Sequence, residues 1–366
     1  SPRPLLDERV LGESGRRTGD EVTELAVGSR LIGDGHPAFV VAEIGSNHDG
    51  DLDQALRLID ISADAGVDAV KFQTFRAAQH YSRRAPGFSY LQGQDTYSLI
   101  ESVELDRTWQ ATLQQHAADR GVEFFSSPCD LEAVVELEEL GVPVYKVASF
   151  DITDTLLIRA MAETGKPIVL STGMANWSEI QTAVDAVESV KNDRVLLLQC
   201  TSLYPAPAHL ANLRAMASMR AAFGKLVGYS DHTLGDQIAL AAVALGACFI
   251  EKHVTLDRGL HGPDHPFATE PKELKIMMER IRDVESGLGD GRKNGPRVEE
   301  REMAEKGRRS LHARVEIPQG SVVTDDMLVV KRPGLGIAPV LREHVLGRRA
   351  NRQIEQDEWI TWDALA

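Results

Sequence analysis

Between Phe39 and about Leu288, short apolar runs alternate with stretches whose apolar residues recur at helical spacing. The strand-like runs stand at Phe39–Ile44, Ala69–Phe72, Val122–Phe125, Val144–Val147, Ile168–Leu170, Val195–Leu198, Lys225–Val227 and Phe249–Glu251. Amphipathic stretches follow them. Leu52, Ala55, Leu56, Ile59 and Ala63 mark the first, and Leu274, Met277, Met278, Ile281 and Val284 the last. Eight β–α units in roughly 250 residues predict a parallel (β/α)8 TIM barrel. A doubly wound open sheet is the competing α/β architecture, but no GxGxxG follows the first strand.

The pattern breaks in three places. The connection from Phe75 to Arg107 is too long for an ordinary loop and holds Tyr81, Phe88, Tyr90 and Tyr97; it reads as an ordered cover over the barrel mouth. Residues 290–307 are charged, with Gly and Pro at their start, and read as a linker that turns helical near Glu299–Lys306. Residues 308–366 have short β-like runs at Ala313–Ile317 and Leu328–Lys331 and predict a small second domain after the barrel of residues 37–289. Residues 1–36 show no core pattern and read as a mobile or edge-packed arm.

Composition narrows the partners. A chain of 366 residues with a net charge of −15 is a poor non-specific ligand for nucleic acid or membrane surfaces. No apolar run is long enough for a membrane span and no secretory signal is legible. Cys129, Cys200 and Cys248 are an odd set without CxxC spacing, expected as reduced thiols of a cytoplasmic protein.

Polar residues close every strand, and in a barrel the C-terminal strand ends carry the site. In chain order they are Glu43 with Asn47 and His48; Lys71 and Gln73; Ser126, Ser127 and Cys129; Lys146, Ser149 and Asp151; Ser171 and Thr172; Gln199, Thr201, Ser202 and Tyr204; Ser230, Asp231 and His232; and Glu251, Lys252 and His253, followed by Asp264 and His265. Ser126, Ser127 and Thr172 are equally well explained as helix caps. Lys71 and Lys146 sit inside apolar strands, where a charge pointing into the mouth wants an anion such as phosphate or carboxylate. His232 and His253 end adjacent strands, and barrel closure brings Glu43 beside them. Taken alone, two such histidines are more often satisfied polar residues; with Glu43 they form a candidate divalent-metal cluster, the carboxylate either ligating or holding water.

Together these residues resemble the sialic acid synthase family. The motifs are AEIGSNHDG at Ala42–Gly50, AVKFQT at Ala69–Thr74, YKVAS at Tyr145–Ser149, STGM at Ser171–Met174 and CTSLYPAP at Cys200–Pro207. GYSDHT at Gly228–Thr233, EKHVTLDR at Glu251–Arg258, GPDH at Gly262–His265, RRSLHA at Arg308–Ala313 and KRPGLGI at Lys331–Ile337 complete the series. The resemblance implies a barrel followed by an antifreeze-like (SAF) domain. It implies condensation of phosphoenolpyruvate with an N-acylated aldose, N-acetylmannosamine or a related acetamido-hexose, to a nine-carbon 2-keto acid and phosphate. It also implies Mn2+ or Mg2+ as cofactor and a domain-swapped homodimer. By motif, it makes His232 and His253 metal ligands and Lys71, Lys146, Ser149, Ser171 and Ser230 phosphoenolpyruvate contacts. Glu43, Gln73, Tyr204 and Asp264 match positions around the reacting sugar, and Arg332 an arginine reaching in from the partner's tail domain. Two departures bear on the sugar: Asp151 stands where the family usually has Glu, and Ser202 where it has Asn. They leave room for a legionaminic-, pseudaminic- or secondary-metabolite-type acceptor.

Two other readings compete. A Schiff-base lyase would use Lys146 or Lys71 as nucleophile but leaves the histidine pair without a role. A binding or ice-interacting protein led by the tail domain would want a flat apolar face there, whereas KRPGLGI is built to meet an anion or polyol.

Overall fold

The computed structural model describes residues 23–86 and 95–366. The described chain divides after Gly289 into two compact units.

In the first unit, eight parallel strands close a barrel: β3 (Phe39–Gly45), β4 (Ala69–Thr74), β5 (Glu123–Pro128), β6 (Tyr145–Val147), β7 (Ile168–Ser171), β8 (Val195–Cys200), β9 (Leu226–Asp231) and β10 (Phe249–His253). β10 pairs back onto β3, so the sheet has no edge, which excludes the open doubly wound alternative. Strands walled by helices outside and by each other inside are buried on both faces, which is why they read as unbroken apolar runs. Phe72, Phe125, Tyr145, Tyr229 and Phe249 are among the largest side chains fully withdrawn from solvent.

Helices return the chain between strands: α1 (Leu52–Ala65) after β3, α5 (Leu131–Leu140) after β5, α6 (Thr155–Glu163) after β6 and α7 (Trp177–Glu188) after β7. α8 (Ala215–Phe223), α9 (Gln237–Ala244) and α10 (Pro271–Leu288) follow the last three strands. Asp51, Asp130, Asp154 and Asn176 cap the four helices α1, α5, α6 and α7 by accepting from first-turn backbone N–H groups. Gly66 ends α1 in the left-handed conformation, φ 86°, where a side chain would be strained.

The long connection after β4 contains α2 (Ala77–His80), α3 (Thr96–Ser102) and then α4 (Gln110–Asp119). Tyr81, Thr96, Leu99 and Ile100 line the cavity at the barrel mouth, as a cover would. Phe88 and Tyr90, expected in that cover, lie outside the described residues.

Residues 23–36 form a hairpin of β1 (Glu24–Val27) and β2 (Arg30–Gly33). It buries Leu25, Val27 and Ile32 in the barrel core cluster. Ser29 donates through both N–H and hydroxyl to Glu123, the first residue of β5, so the hairpin sits at the N-terminal end of the barrel, away from the mouth. Four-residue strands are too short to show a period, which is why no core pattern was legible there.

The second unit starts with α11 (Arg301–Gly307) after a short 3-10 turn. Its only ladder of two named strands, among the described residues, pairs β11 (Ser310–Ala313) with β12 (Leu328–Lys331). Isolated bridges such as Ile317 with Ile354 tie the remainder, and α12 (Arg342–Val345) contributes Val345 to its core. Leu311, Ile317, Leu328, Ile354 and Ile360 form a separate small core. Among the described residues no helix is long and apolar enough to cross a membrane.

Candidate active site

Strand alternation decides which polar ends face inward. On β10, Glu251 and His253 share one face while Lys252 takes the other. Lys252 Nζ donates to Asp231 Oδ2 and to the Thr233 carbonyl, both at 2.8 Å, on the outer side of the wall. Ser230 and His232 flank Asp231 and therefore face inward. A cavity of about 160 Å³ at the strands' C-terminal ends is lined by Glu43, Lys71, Gln73, Lys146, Ser149 and Asp151 from the first four strand ends, and by Ser171, Tyr204, Ser230, His232, His253 and Asp264 from the last four. Twelve of the thirteen residues expected from the sequence thus meet at one mouth. Arg332 belongs to the second unit, where it is exposed and its Nε donates to the Gly307 carbonyl at 2.7 Å.

Two buried lysines and two buried carboxylates form the floor. Lys71 Nζ lies 2.7 Å from Glu43 Oε2 and 3.9 Å from Glu251 Oε2, and donates to Ser127 Oγ at 3.2 Å. Lys146 Nζ is 3.3 Å from Glu251 Oε1, which also accepts from Ser230 Oγ at 3.3 Å. Charges this deep cost several kcal/mol each unless paired, so this internal lattice is what makes them tolerable. Burial opposes every charge in it. Burial, with Glu251 nearby, pushes Glu43 up to about 7 against the pull of Lys71. Burial pushes the Lys146 ammonium down. For Glu251 burial is outweighed by Lys146 and Lys71, and its carboxyl is held below the usual range. Burial of Lys71 is likewise outweighed, by Glu251 and Glu43, and its pKa is raised.

Gly45 makes room for this. The β3 ladder slips between Glu43 and Gly45, with Gly45 at φ 53°, and an added Cβ would stand 3.1 Å from Glu43 Oε1 and 3.2 Å from Gln73 Nε2. Gln73 Nε2 donates to Glu43 Oε1 at 2.6 Å. Both Glu43 oxygens are therefore engaged, by Lys71 and Gln73. The two-histidine, one-carboxylate cluster is corrected here: Glu43 opposes His253 in register across the seam, but its head turns to the lysine. Among the described residues no three His, Cys, Asp or Glu side chains converge as a metal cage would.

The imidazole pair stands by itself. The His232 and His253 rings are 5.3 Å apart, with Tyr204 4.4 Å from the first and Phe267 5.1 Å from the second. His232 Nδ1 lies 2.9 Å from the Thr201 carbonyl, an arrangement that leaves Nε2 as the free lone pair. His253 Nδ1 is buried without a hydrogen bond; Asp264 Oδ2 stands 3.5 Å away. Burial, and then His232, keep the His253 imidazole well below its usual pKa, hence neutral. For His232 burial is outweighed by the neighbouring Cys200, and its pKa is raised. An imidazole pair with an orphaned buried nitrogen, once free of protons, fits a divalent cation that completes its shell with water or ligand oxygens.

The remaining wall is polar and less constrained. Gly173 N–H donates to Ser149 Oγ at 3.1 Å, whereas Ser171 Oγ is buried without a partner. Burial raises the carboxyls of Asp151 and Asp264. Cys129 Sγ stands 3.9 Å from Asp151 Oδ2. Asn47, singled out at the first strand end, instead bonds the Val254 carbonyl at 2.8 Å, and His48 is fully buried with Nδ1 accepting from Gly50 N–H. Glu251 was not selected by sequence reasoning although it bridges both lysines. Its i, i+2 spacing to His253 was the available signal.

Known proteins resemble this chain over most of its length. The NeuB family model matches residues 58–293 and the SAF domain model residues 308–366. N,N'-diacetyllegionaminic acid synthase from Campylobacter jejuni is 41% identical over 88% of this chain and 98% of its own. Human N-acetylneuraminate-9-phosphate synthase is 36% identical over 90% of this chain and 93% of its own. Among solved structures, the N-acetylneuraminic acid synthetase of Leptospira borgpetersenii, in complex with citrate, superposes with a TM-score of 0.70 at 36% identity, covering 77% of this chain and 95% of that one. A barrel with this mouth, matched by both models in the right order, places the chain in the NeuB family, as an enzyme of the sialic acid synthase type that carries a SAF domain.

Proposed function

We propose that the protein condenses phosphoenolpyruvate with an acetamido-hexose, in its open-chain aldehyde form, to a nine-carbon 2-keto acid and inorganic phosphate. The observation that carries this reading is the buried Lys71–Glu251–Lys146 lattice beside the His232–His253 imidazole pair. It supplies two cations for a substrate bearing both a carboxylate and a phosphate. The names of the relatives, synthases of legionaminic and neuraminic acids, support the sugar-acid product.

In this reading Lys71 and Lys146 neutralise the phosphoenolpyruvate anion, and the Ser171 and Ser230 hydroxyls and Ser149 orient it. A divalent cation, Mn2+ or Mg2+, held by His232 and His253 would polarise the aldehyde oxygen. The enol carbon of phosphoenolpyruvate forms the new bond to the aldehyde carbon, whose oxygen takes up a proton. Water adds to the phosphate-bearing carbon, and the adduct collapses to the ketone by breaking its bond to the phosphate oxygen. Glu43, raised to about 7, is poised to accept a proton from that water and to give one up. Gln73 holds that carboxylate in place. Tyr204, Asp264 and Asp151 face the sugar. A partner subunit's SAF domain, contributing Arg332, would close the mouth in a domain-swapped homodimer.

The histidine pair is what a Schiff-base lyase would leave idle, and it favours condensation. The test is phosphate release from phosphoenolpyruvate with Mn2+ across a panel of acetamido-hexoses bearing one or two acetamido groups. Release that requires both aldose and metal is expected. Equal release without any sugar overturns the reading, and a borohydride-trapped pyruvate adduct on Lys146 or Lys71 would replace it with the lyase.

A further inference from the structure

We infer that His265 is a positioning residue that sets Asp264 over His253 by latching the loop after the last barrel strand to the loop after the first; the inference rests on the condensation reading only for what Asp264 does. Asp264 has no close contact of its own. Ser46 Oγ approaches its Oδ2 at 3.4 Å and His253 Nδ1 at 3.5 Å, both at the long limit of a useful bond. The segment leading to it, from Arg258 to Pro263, has no helix or strand.

The next residue is held far more tightly. His265 is fully buried, and both ring nitrogens are occupied. Nε2 lies 2.9 and 3.0 Å from the two Asp49 oxygens, and Nδ1 lies 2.7 Å from Thr255 Oγ1. Asp49 is in turn fixed: Gln54 Nε2 donates to its Oδ2 at 2.6 Å and to the Asn47 carbonyl at 2.8 Å. Asp49 also holds a left-handed backbone, φ 51°, a turn conformation that aspartate tolerates better than most side chains. Gly262 closes the other side: a Cβ there would stand 2.8 Å from the His265 ring and 3.1 Å from Asp49 Oδ1. A buried imidazole held by a half-buried carboxylate between two loops at the mouth, one residue from a cavity carboxylate that lacks support of its own, is a device for placing that carboxylate. As a core histidine alone, His265 would need neither a carboxylate on both oxygens nor a glycine pressed against it.

The latch touches neither Lys71 nor Lys146, so its loss should fall on turnover and not on phosphoenolpyruvate binding. His265→Phe in the full-length protein is expected to lower kcat about 100-fold, the scale of a displacement near one ångström, with KM for phosphoenolpyruvate within about twofold. In an Asp264→Asn background the same change should cost nothing further, because the residue it positions is already disabled. His265→Gln, which keeps a donor toward Asp49, should recover part of the loss. Full additivity with Asp264→Asn, or an equal rise in KM for phosphoenolpyruvate, overturns the inference. Hydrogen exchange at residues 256–264 gives a second readout that needs no activity: exchange should quicken in His265→Phe while β3 and β10 stay protected, and unchanged exchange overturns the latch. If the wild-type protein condenses none of the aldoses, the condensation reading fails and exchange alone decides the latch.

Discussion

Glu251 Oε1 and Lys146 Nζ lie 3.3 Å apart with both side chains buried, and the same carboxylate reaches toward Lys71 at 3.9 Å. In the resting protein Glu251 therefore occupies the place an anionic ligand would share. Glu251→Gln keeps an acceptor for Ser230 but removes the charge. The variant should be less stable by about 3 kcal/mol, the cost of stranding a buried cation, and phosphoenolpyruvate should raise its Tm more than it raises that of the wild type. A thermal-shift series settles this: no stabilisation by phosphoenolpyruvate would show that the lysines serve only the fold.

Asp151 and Ser202 are expected to tune the acceptor. Asp151 lines the cavity one residue from Phe150, whose ring stacks 6.5 Å from Tyr204, and Ser202 Oγ is withdrawn from solvent without a partner. Asp151→Glu extends the carboxyl by a methylene, and Ser202→Asn replaces a small hydroxyl with a larger amide. Each should change the ratio of kcat/KM between one-acetamido and two-acetamido aldoses by about tenfold, with KM for phosphoenolpyruvate unchanged. Steady-state assays with both sugar classes check it; an unchanged ratio in both variants removes these residues from acceptor choice.

The barrel was legible because each of its strands is buried on both faces and ends in polar groups, so strand position and site position carry one signal. Closure even placed the first strand beside the eighth, and there Glu43 opposes His253 in register. Direction of the polar heads was not legible. Glu251, Lys252 and His253 are consecutive, and only the register with Asp231 tells that Lys252 turns outward and leaves Glu251 to the lysines. Glu43 was read toward the imidazoles, yet the stronger field of Lys71, a strand away, takes it. His265 finds Asp49 216 positions distant in sequence, a pairing that no local pattern contains.

The proposed domain-swapped arrangement predicts complementation. Arg332→Ala should weaken aldose use while leaving Mn2+ binding intact, and His232→Ala should lose the metal. Coexpressed, the two should recover about a quarter of wild-type activity, since about half the dimers are mixed and each has one intact site of two. Activity no higher than the sum of the separate variants would mean that Arg332 serves its own chain's mouth or none.

His48 should set part of the acid limit of stability. Its ring is fully buried: Nδ1 accepts from Gly50 N–H at 3.1 Å, and Nε2 has no partner. Burial lowers its pKa to about 4, against a small upward pull from Asp49. An unfolded histidine titrates near 6.5, so the unfolded chain binds the proton first. The contribution is complete above about pH 6.5 and is lost as pH falls toward 4, about 1.4 kcal/mol per unit, for about 3 kcal/mol in all. His48→Asn keeps an acceptor near Gly50 and cannot titrate. It should cost stability at pH 7.5, where the imidazole packs neutral, yet the gap to wild type should narrow or reverse at pH 4.5. Urea or thermal melts of both proteins at the two pH values measure it; a gap that is constant with pH would mean that His48 is protonated as easily folded as unfolded.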